Sequence, residues 1–559
     1  MNNKPSSEKP WLKYYGGIVD KIEVPNCSLF DFIKMRNPDD TLEAIRFYDN
    51  KITFKELYEN SINVAKSLKA MNFKEGDQIP VFLLSVPEFI YLLLGAELIG
   101  ASVISREGSP CEILETISDS CSDTVFVHDY LSKEEEIAFR KNGIKNIIYI
   151  SPTYSALKIG DTAKKALNAR YPDKLFDSEK CTSWQNFLRA GKKETLDYVV
   201  SDFNKPLSRS YTTGTTGTSK QVIHSAHSII GVLVQMSFYP PNKGYRLKWE
   251  SGIFPPSLVA TIISMMFAPL VSNTILVLNP LVMVEDYDLA LMENKSNIFP
   301  LIPLTSNVLL NSNRIPDDFD LSFLVACGAG AEFSNNKLIK QMNEFFKKHN
   351  SNATYTIGYG MSECGSNILL PIPHVSSTDC CAGIPMPLDT IGVFEQGTDN
   401  ELGYNELGEI CKSGEGLMVG YKNPEDTEKI MFVHSDGKTW LHTGDIGYIS
   451  EDGFVHVLNR GYIKHYTGEN LFVYQMENKI IDIEGIHDAF FLTKEDENHE
   501  GYFLPYLYLI LDDDNMLEEV SKKVKERLLP HEQPIKIFTL KERPFFHMKT
   551  ARRFLAEKI

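Results

Sequence analysis

The feature that most constrains the fold is an alternation of short, continuously apolar runs with amphipathic stretches. Thr53-Phe54-Lys55-Glu56 is a capping box. Apolar residues follow at Leu57, Ile62, Ala65, Leu68 and Met71, close to a helical period. Gly76 and Asp77 close that unit, Ile79–Ser85 reads as a buried strand, and a helix is expected from about Glu88 to Ile99. Similar units recur at Thr124–His128, Lys145–Ile150, Thr274–Leu278, Ser296–Leu301 and Phe323–Cys327. Strands that are apolar on both faces, separated by helices, predict an α/β fold. After about Gly403 the pattern becomes short alternating segments between Gly and Asp, as in Gly408–Ser413 and Gly453–Leu458, which reads as a β-rich module. Beyond Arg460 the chain has its own strand candidate, Tyr506–Leu511, and helix candidate, Met516–Leu529. The expected organisation is a large N-terminal domain, residues 1–459, of α/β subdomains plus the β-rich module, and a small α+β C-terminal domain, residues 460–559.

With 559 residues the chain is too long for one ordinary domain. A net charge of −17 argues against nucleic acid or an anionic membrane as the main partner, while a local cationic pocket still suits an anionic ligand. The nine cysteines are scattered without a CxxC pair, which reads as reduced thiols in a cytoplasmic protein. Met1–Pro10 is polar and lacks the apolar segment of a signal peptide. Two apolar stretches are too broken to span a membrane: Ile79–Val103 carries Pro80, Pro87, Glu88 and Glu97, and Ser257–Leu278 carries Pro269 and Asn273.

The strongest chemical signal is Ser210-Tyr211-Thr212-Thr213-Gly214-Thr215-Thr216-Gly217-Thr218-Ser219-Lys220. Glycines let a backbone approach phosphate closely, hydroxyls and N–H groups donate to its oxygens, and Lys220 adds a point charge. The spacing is not that of a Walker A loop, in which Gly-Lys-Ser/Thr is contiguous.

This loop resembles the Thr/Ser-Gly-Thr/Ser-Thr-Gly-x-Pro-Lys loop of the adenylate-forming superfamily of acyl-CoA synthetases, adenylation domains and luciferases, with Ser219 in place of the proline. The resemblance extends over nearly the whole chain. It implies that Thr212, Thr213, Gly214, Thr215, Thr216, Gly217 and Lys220 hold the phosphates of ATP. Tyr359-Gly360-Met361-Ser362-Glu363 is similar to the family's Tyr-Gly-x-Thr/Ser-Glu, so the nucleotide is expected against Tyr359, Gly360, Met361 and Ser362. Glu363 and Thr215 are then the expected Mg²⁺ ligands and, by the same resemblance, part of the catalytic set. The segment containing Gly328, Ala329 and Gly330, placed after an apolar strand, resembles the stretch that cradles adenine and the acyl group. Trp440-Leu441-His442-Thr443-Gly444-Asp445 matches the family's Thr-Gly-Asp, with Asp445 expected on the ribose hydroxyls. Arg460 aligns with the arginine beside the hinge.

Lys549, in Pro544-Phe545-Phe546-His547-Met548-Lys549-Thr550-Ala551-Arg552-Arg553, is the candidate catalytic lysine of a mobile C-terminal domain. Its surroundings are one residue shorter than the family pattern, and Met548 stands where glycine is usual. The implied reaction is ATP-dependent activation of a small carboxylic acid to an acyl-adenylate, followed by transfer to CoA. Two alternatives remain open: transfer to the thiol of a separate carrier protein, and a non-catalytic nucleotide-binding homologue. Phe254-Pro255-Pro256-Ser257 lies where amino-acid-activating relatives have Phe-Asp-x-Ser, and Pro255 cannot pair with an α-ammonium group. Ser257, Val259, Gly328 and Gly358 are the expected acyl-pocket residues. Val259, with Ile262 and Ile263, reads equally as core.

Overall fold

A computed structural model describes residues 4–130, 132–170, 181–196, 202–212, 219–239, 243–372, 380–546, 549, 550, 552 and 555. The capping box at Thr53 forms as expected. Thr53 Oγ1 accepts from the Glu56 N–H at 3.2 Å, and Glu56 returns a bond to the Thr53 N–H at 2.8 Å. The helix Phe54–Ala70 turns Leu57, Val64, Ala65 and Leu68 inward. It lies against the helix Pro87–Leu98, every residue of which is buried. The two backbones meet at Gly95, where a Cβ would stand 2.7 Å from Val64 Cγ1 and 3.0 Å from the Ala65 nitrogen. Any side chain there would push the helices apart.

An eight-stranded sheet runs in the order Gly420–Tyr421, Gln221–Ser225, Pro206–Tyr211, Ser102–Ile104, Gln78–Phe82, Thr124–His128, Asn146–Ile150 and Thr182–Ser183. From Pro206–Tyr211 onward its pairs are parallel, and the first two pairs are antiparallel. A second sheet orders Lys248–Glu250, Ile275–Leu278, Glu43–Phe47 and Asn50–Thr53. This is the expected α/β arrangement, with one core shared by helices and both sheets. Among the described residues no helix is long and apolar enough to cross a membrane.

Three expectations need correction. Ser296–Leu301 is not a strand; it contributes single bridges, Ile298 to Trp249 and Ala326, and Leu301 to Ala329. Pro300 lies inside the segment and Pro303 just beyond it, and neither residue can donate to a ladder. The strand expected over Phe323–Cys327 instead begins at Cys327 and includes Gly328 and Ala329, paired in parallel with Tyr355–Ile357. The β-rich module begins not at Gly403 but at Leu369. Leu369–Leu370, Cys381–Pro385 and Thr390–Phe394 join Gly408–Ser413, Met431–Val433, Thr439–Ile449 and Val455–Arg460 in one antiparallel sheet.

That sheet ends at Arg460. The chain then builds a three-stranded sheet of Ile486–Asp496, His499–Leu511 and Lys536–Thr539 with the helices Val473–Ile480 and Leu517–Arg527. Leu471, Met476, Ile480, Phe491, Leu507 and Val524 form a separate core inside it. This C-terminal unit sits on the segment 332–337 of the larger one. Phe333 stacks on Tyr474 at 4.5 Å, and the Asn336 N–H donates to Asn478 Oδ1 at 3.0 Å. Lys337 Nζ donates to the carbonyl of Ile486 and, at 3.3 Å, to that of His487.

Candidate active site

The phosphate-type loop connects two antiparallel strands, Pro206–Tyr211 and Gln221–Ser225. Its neck is closed by the Thr212 N–H donating to the Lys220 carbonyl at 2.9 Å and the Lys220 N–H donating to Thr212 Oγ1 at 3.0 Å. Thr213, Gly214, Thr215, Thr216 and Gly217 lie outside the described residues. At the mouth, Lys220 Nζ stands 4.8 Å from the centre of the Tyr421 ring and 3.8 Å from Asp426.

Tyr421 connects the loop to the next motif by donating its hydroxyl proton to Glu363 Oε1. Glu363 is buried in the short turn Ser362–Cys364, and His224 Nε2 lies 2.8 Å from the Ser362 carbonyl, tying that turn to the strand beside the loop. Gly360 is held by packing: a Cβ would fall 1.5 Å from the Ser366 carbonyl oxygen. Met361 packs its side chain toward the core of the β-rich module.

Tyr359 packs on the same core and donates its hydroxyl to Asp445 Oδ2, while Arg460 Nη1 donates to Asp445 Oδ1 at 3.1 Å. Asp445 and Arg460 are directly opposite on the antiparallel strands Thr439–Ile449 and Val455–Arg460, so sheet register alone makes the pair. Burial, and then the neighbouring Asp445, raise the Tyr359 hydroxyl well above its ordinary range, so it remains a donor. Burial, the largest single effect, opposes the Arg460 charge, but Asp445, Tyr359 and Glu363 together outweigh it and the guanidinium is held the more firmly protonated.

Behind Asp445 is a support that no motif announced. The Gly444 N–H donates to Glu409 Oε1 at 2.9 Å, Glu409 Oε2 meets His442 Nδ1 at 2.9 Å, and His442 Nε2 meets His434 Nε2 at 3.0 Å. Glu409, Cys411 and His442 offer ligand atoms within 4.8 Å of one another. The donor set does not favour a metal. Glu409 is satisfied by Gly444, by His442 and by the Gly397 N–H at 3.3 Å, and burial pushes the Cys411 thiol well above its ordinary range. The trio is read as the hydrogen-bonded scaffold of the Thr443–Asp445 turn.

Gly328, Ala329 and Gly330 run along the end of the Cys327–Ala329 strand, and the Gly358 N–H donates to the Ala329 carbonyl at 2.7 Å. A Cβ at Gly328, Gly330 or Gly358 would meet only one atom each, at 3.9, 3.6 and 3.6 Å. The backbone here borders open space. Ser257 is buried, and its Oγ has no hydrogen-bond partner among the described residues. Val259, Ile262 and Ile263 are part of the main core.

Lys549 arrives from the C-terminal unit on a short hairpin, Phe545–Phe546 with Lys549–Thr550. Burial lowers the proton affinity of its ammonium, and Arg460 acts in the same direction. Glu332, Glu363 and Asp445 pull the other way and fall short, so the net shift is downward. The second basic residue of the tail, Arg552, is engaged elsewhere, with its Nη1 2.8 Å from Glu477 Oε1. The structure therefore brings Tyr359 and Glu363 of one segment together with Asp445, Arg460 and Lys549 from three others.

Residues 34–422 match the AMP-binding enzyme family. Among curated relatives, the long-chain-fatty-acid–CoA ligase of Bacillus subtilis (strain 168) is 24% identical over 549 residues, 94% of each chain. Among solved structures, ATP-bound MatB from Rhodopseudomonas palustris superposes with a TM-score of 0.78 at 18% identity, covering 95% of this chain and 98% of that one. The anthranilate CoA ligase AuaEII in complex with anthranoyl-AMP gives 0.77 at 16% identity, covering 97% and 98%.

Proposed function

From the premise that this chain belongs to the AMP-binding enzyme family, we propose that it activates a carboxylic acid with ATP to an acyl-adenylate and then passes the acyl group to the thiol of CoA. The observation that carries the reading is the convergence of Asp445, with its two donors Tyr359 and Arg460, on the same cleft as Lys549 and Glu363.

In this reading the ribose hydroxyls donate to Asp445, and Arg460 faces the ribose–phosphate junction. The loop from Thr212 to Lys220 holds the phosphates. Glu363 fits a hard cation: it presents a buried carboxylate, and Tyr421 takes only one of its oxygens in a bond this structure describes. Glu363, with Thr215, would hold Mg²⁺, which supplies neutralising charge to the phosphates when bound. Lys549 lies between the acyl carboxylate and the α-phosphate and offsets the charge that builds there. The open backbone at Gly328, Gly330 and Gly358 suits a flat base on one side and the acyl group on the other.

The acid favoured is one without an α-ammonium group, since Phe254-Pro255-Pro256-Ser257 has no carboxylate to pair with it. Relatives that are fatty acid, 4-coumarate and 2-succinylbenzoate CoA ligases support the same class. The division into residues 1–459 and a mobile 460–559 is part of the proposal, supported by the separate core beyond Arg460. So is a cytoplasmic location, supported by nine cysteines scattered without a CxxC pair.

Acid-dependent ATP–pyrophosphate exchange tests the first step, and thioester formation on adding CoA tests the second. Simple carboxylates are expected to stimulate exchange and α-amino acids are not; the opposite preference overturns the substrate class. Lys549→Ala is expected to lower exchange by roughly 10²–10³-fold while leaving ATP binding nearly intact. Near-normal exchange in that variant removes Lys549 from the chemistry.

A further inference from the structure

The tail that carries Lys549 is gripped at Thr550, and the two grips come from different units. The Thr550 hydroxyl accepts from Arg543 Nη1 at 3.0 Å, and Arg543 is anchored within the C-terminal unit by paired bonds of 2.6 Å to Asp488. Arg552 is anchored in that unit as well, on Glu477 and on the Phe491 carbonyl at 2.6 Å. These bonds fix the tail relative to its own unit and travel with it. The Thr550 N–H instead donates to Glu332 Oε2 at 3.1 Å, and Glu332 belongs to the larger unit, two residues beyond the open backbone at Gly330. Glu332 also opens the segment whose Phe333, Asn336 and Lys337 carry further contacts between the units.

We propose that Glu332 is a positioning residue: its carboxylate docks the Lys549–Thr550 strand over the cleft and so sets the arrangement competent for the first half-reaction. This rests on the adenylation reading above. The chemistry suits the task. A carboxylate accepting a backbone N–H forms a charge-assisted bond, stronger than a neutral one. The same carboxylate exerts the strongest attraction of any charge on Lys549 and attracts Arg543 and Arg552 besides. Because the donor is backbone, it survives any residue at 550 except proline. Any rotation that carries the tail away breaks the Glu332 bond and leaves those of Arg543 and Arg552 whole. Glu332 therefore acts on one conformational state and not on the stability of either unit.

The test uses the full chain with Glu332→Ala, Glu332→Gln and Thr550→Pro, the last removing the N–H and leaving Glu332 in place; Thr550→Ala is the reference for the hydroxyl that proline also removes, and cleavage in the proline variant is read at Arg552 and Arg553. Four readings are taken: tryptic cleavage within residues 549–553, kcat and ATP KM of acid-dependent pyrophosphate exchange, thioester formation from separately prepared acyl-adenylate and CoA, and the melting temperature. Glu332→Ala is expected to speed tail cleavage and to lower exchange kcat, each by about tenfold, the scale of one hydrogen bond to a charged group. Glu332→Gln, which keeps an acceptor and loses the charge, falls between. ATP KM, thioester formation and melting temperature stay as in the parent. Thr550→Pro reproduces the loss, and the double variant with Glu332→Ala loses no more than either alone. Unchanged cleavage, an additive double variant, or an equal fall of both half-reactions with a lower melting temperature overturns the proposal. If the parent protein shows no exchange with any acid, the adenylation reading fails by itself, and the cleavage arm then decides whether Glu332 docks the tail.

Discussion

Asp445, the proposed ribose ligand, is already engaged, with a phenol on one oxygen and a guanidinium on the other. Tyr359 orients the carboxylate, and the cost of losing it belongs to nucleotide binding. Tyr359→Phe keeps the ring and deletes the donor. It is expected to raise the ATP KM in pyrophosphate exchange by about tenfold with a smaller change in kcat, because a contact made equally in ground and transition states acts on binding. An unaltered KM would remove Tyr359 from the ribose site. The sequence showed Tyr359 and Asp445 as members of two motifs but could not show that they touch, since 86 positions separate them and the contact exists only once the β-rich sheet is folded. Gly360 was legible as a motif glycine, while its physical reason, the approach of the Ser366 carbonyl, was not. Glu409 and His434, and the part His442 plays within its motif, were invisible for the same cause: single residues on separate segments leave no local spacing to read.

Elements whose signals are local were legible, and elements defined by their partners were not. The box at Thr53–Glu56 predicted a helix that begins at Phe54, and Thr124–His128 is a strand with the expected limits. Glu97, by contrast, was read only as an interruption of an apolar stretch. In the fold it caps a different helix, Leu29–Arg36, accepting the N–H groups of Leu29 at 2.6 Å and Phe30 at 2.9 Å. Burial raises its carboxyl to about 7, against the smaller opposing effect of those two donors. An unfolded glutamate titrates near about 4.3. The folded chain thus holds this proton more tightly, and the stability it contributes is full below about 4.3 and is lost as pH rises to about 7. Glu97→Gln retains an acceptor for the helix and abolishes the titration. Urea midpoints at pH 5 and pH 8 are expected to lie closer together in the variant than in the parent. Glu88 and Glu250, also raised by burial to about 7, keep part of the difference in place. An equal difference in both proteins would show that Glu97 does not carry a folded-state proton through this window.

At the scale of the whole molecule, the change of pattern at Arg460 was visible because it separates two kinds of periodicity. The start of the β-rich sheet at Leu369 was not, because Cys381–Pro385 and Thr390–Phe394 are buried on both faces and lack the alternation by which half-exposed strands are recognised. What joins the two units follows from their contacts. Away from the chain crossing at Arg460, one aromatic stack, the bonds at Asn336 and Lys337, and the Glu332–Thr550 bond are each worth about 0.5–1.5 kcal/mol, or somewhat more where a charge takes part. Together they amount to a few kcal/mol, against roughly 5–15 kcal/mol for a folded domain. A junction this weak does not force two separate cores to melt as one. Differential scanning calorimetry of the unliganded protein is therefore expected to resolve two transitions, with Tyr474→Ala drawing them further apart. A non-reactive acyl-adenylate analogue, held in the proposed site by Asp445 on one side and Lys549 on the other, adds about 2.7 kcal/mol at one hundred times its dissociation constant. Because that energy requires both units folded, the analogue should bring the two transitions together, and Lys549→Ala should weaken the convergence. A single unliganded transition, unaffected by Tyr474→Ala, would mean that the molecule is one cooperative body and that the C-terminal unit does not move independently.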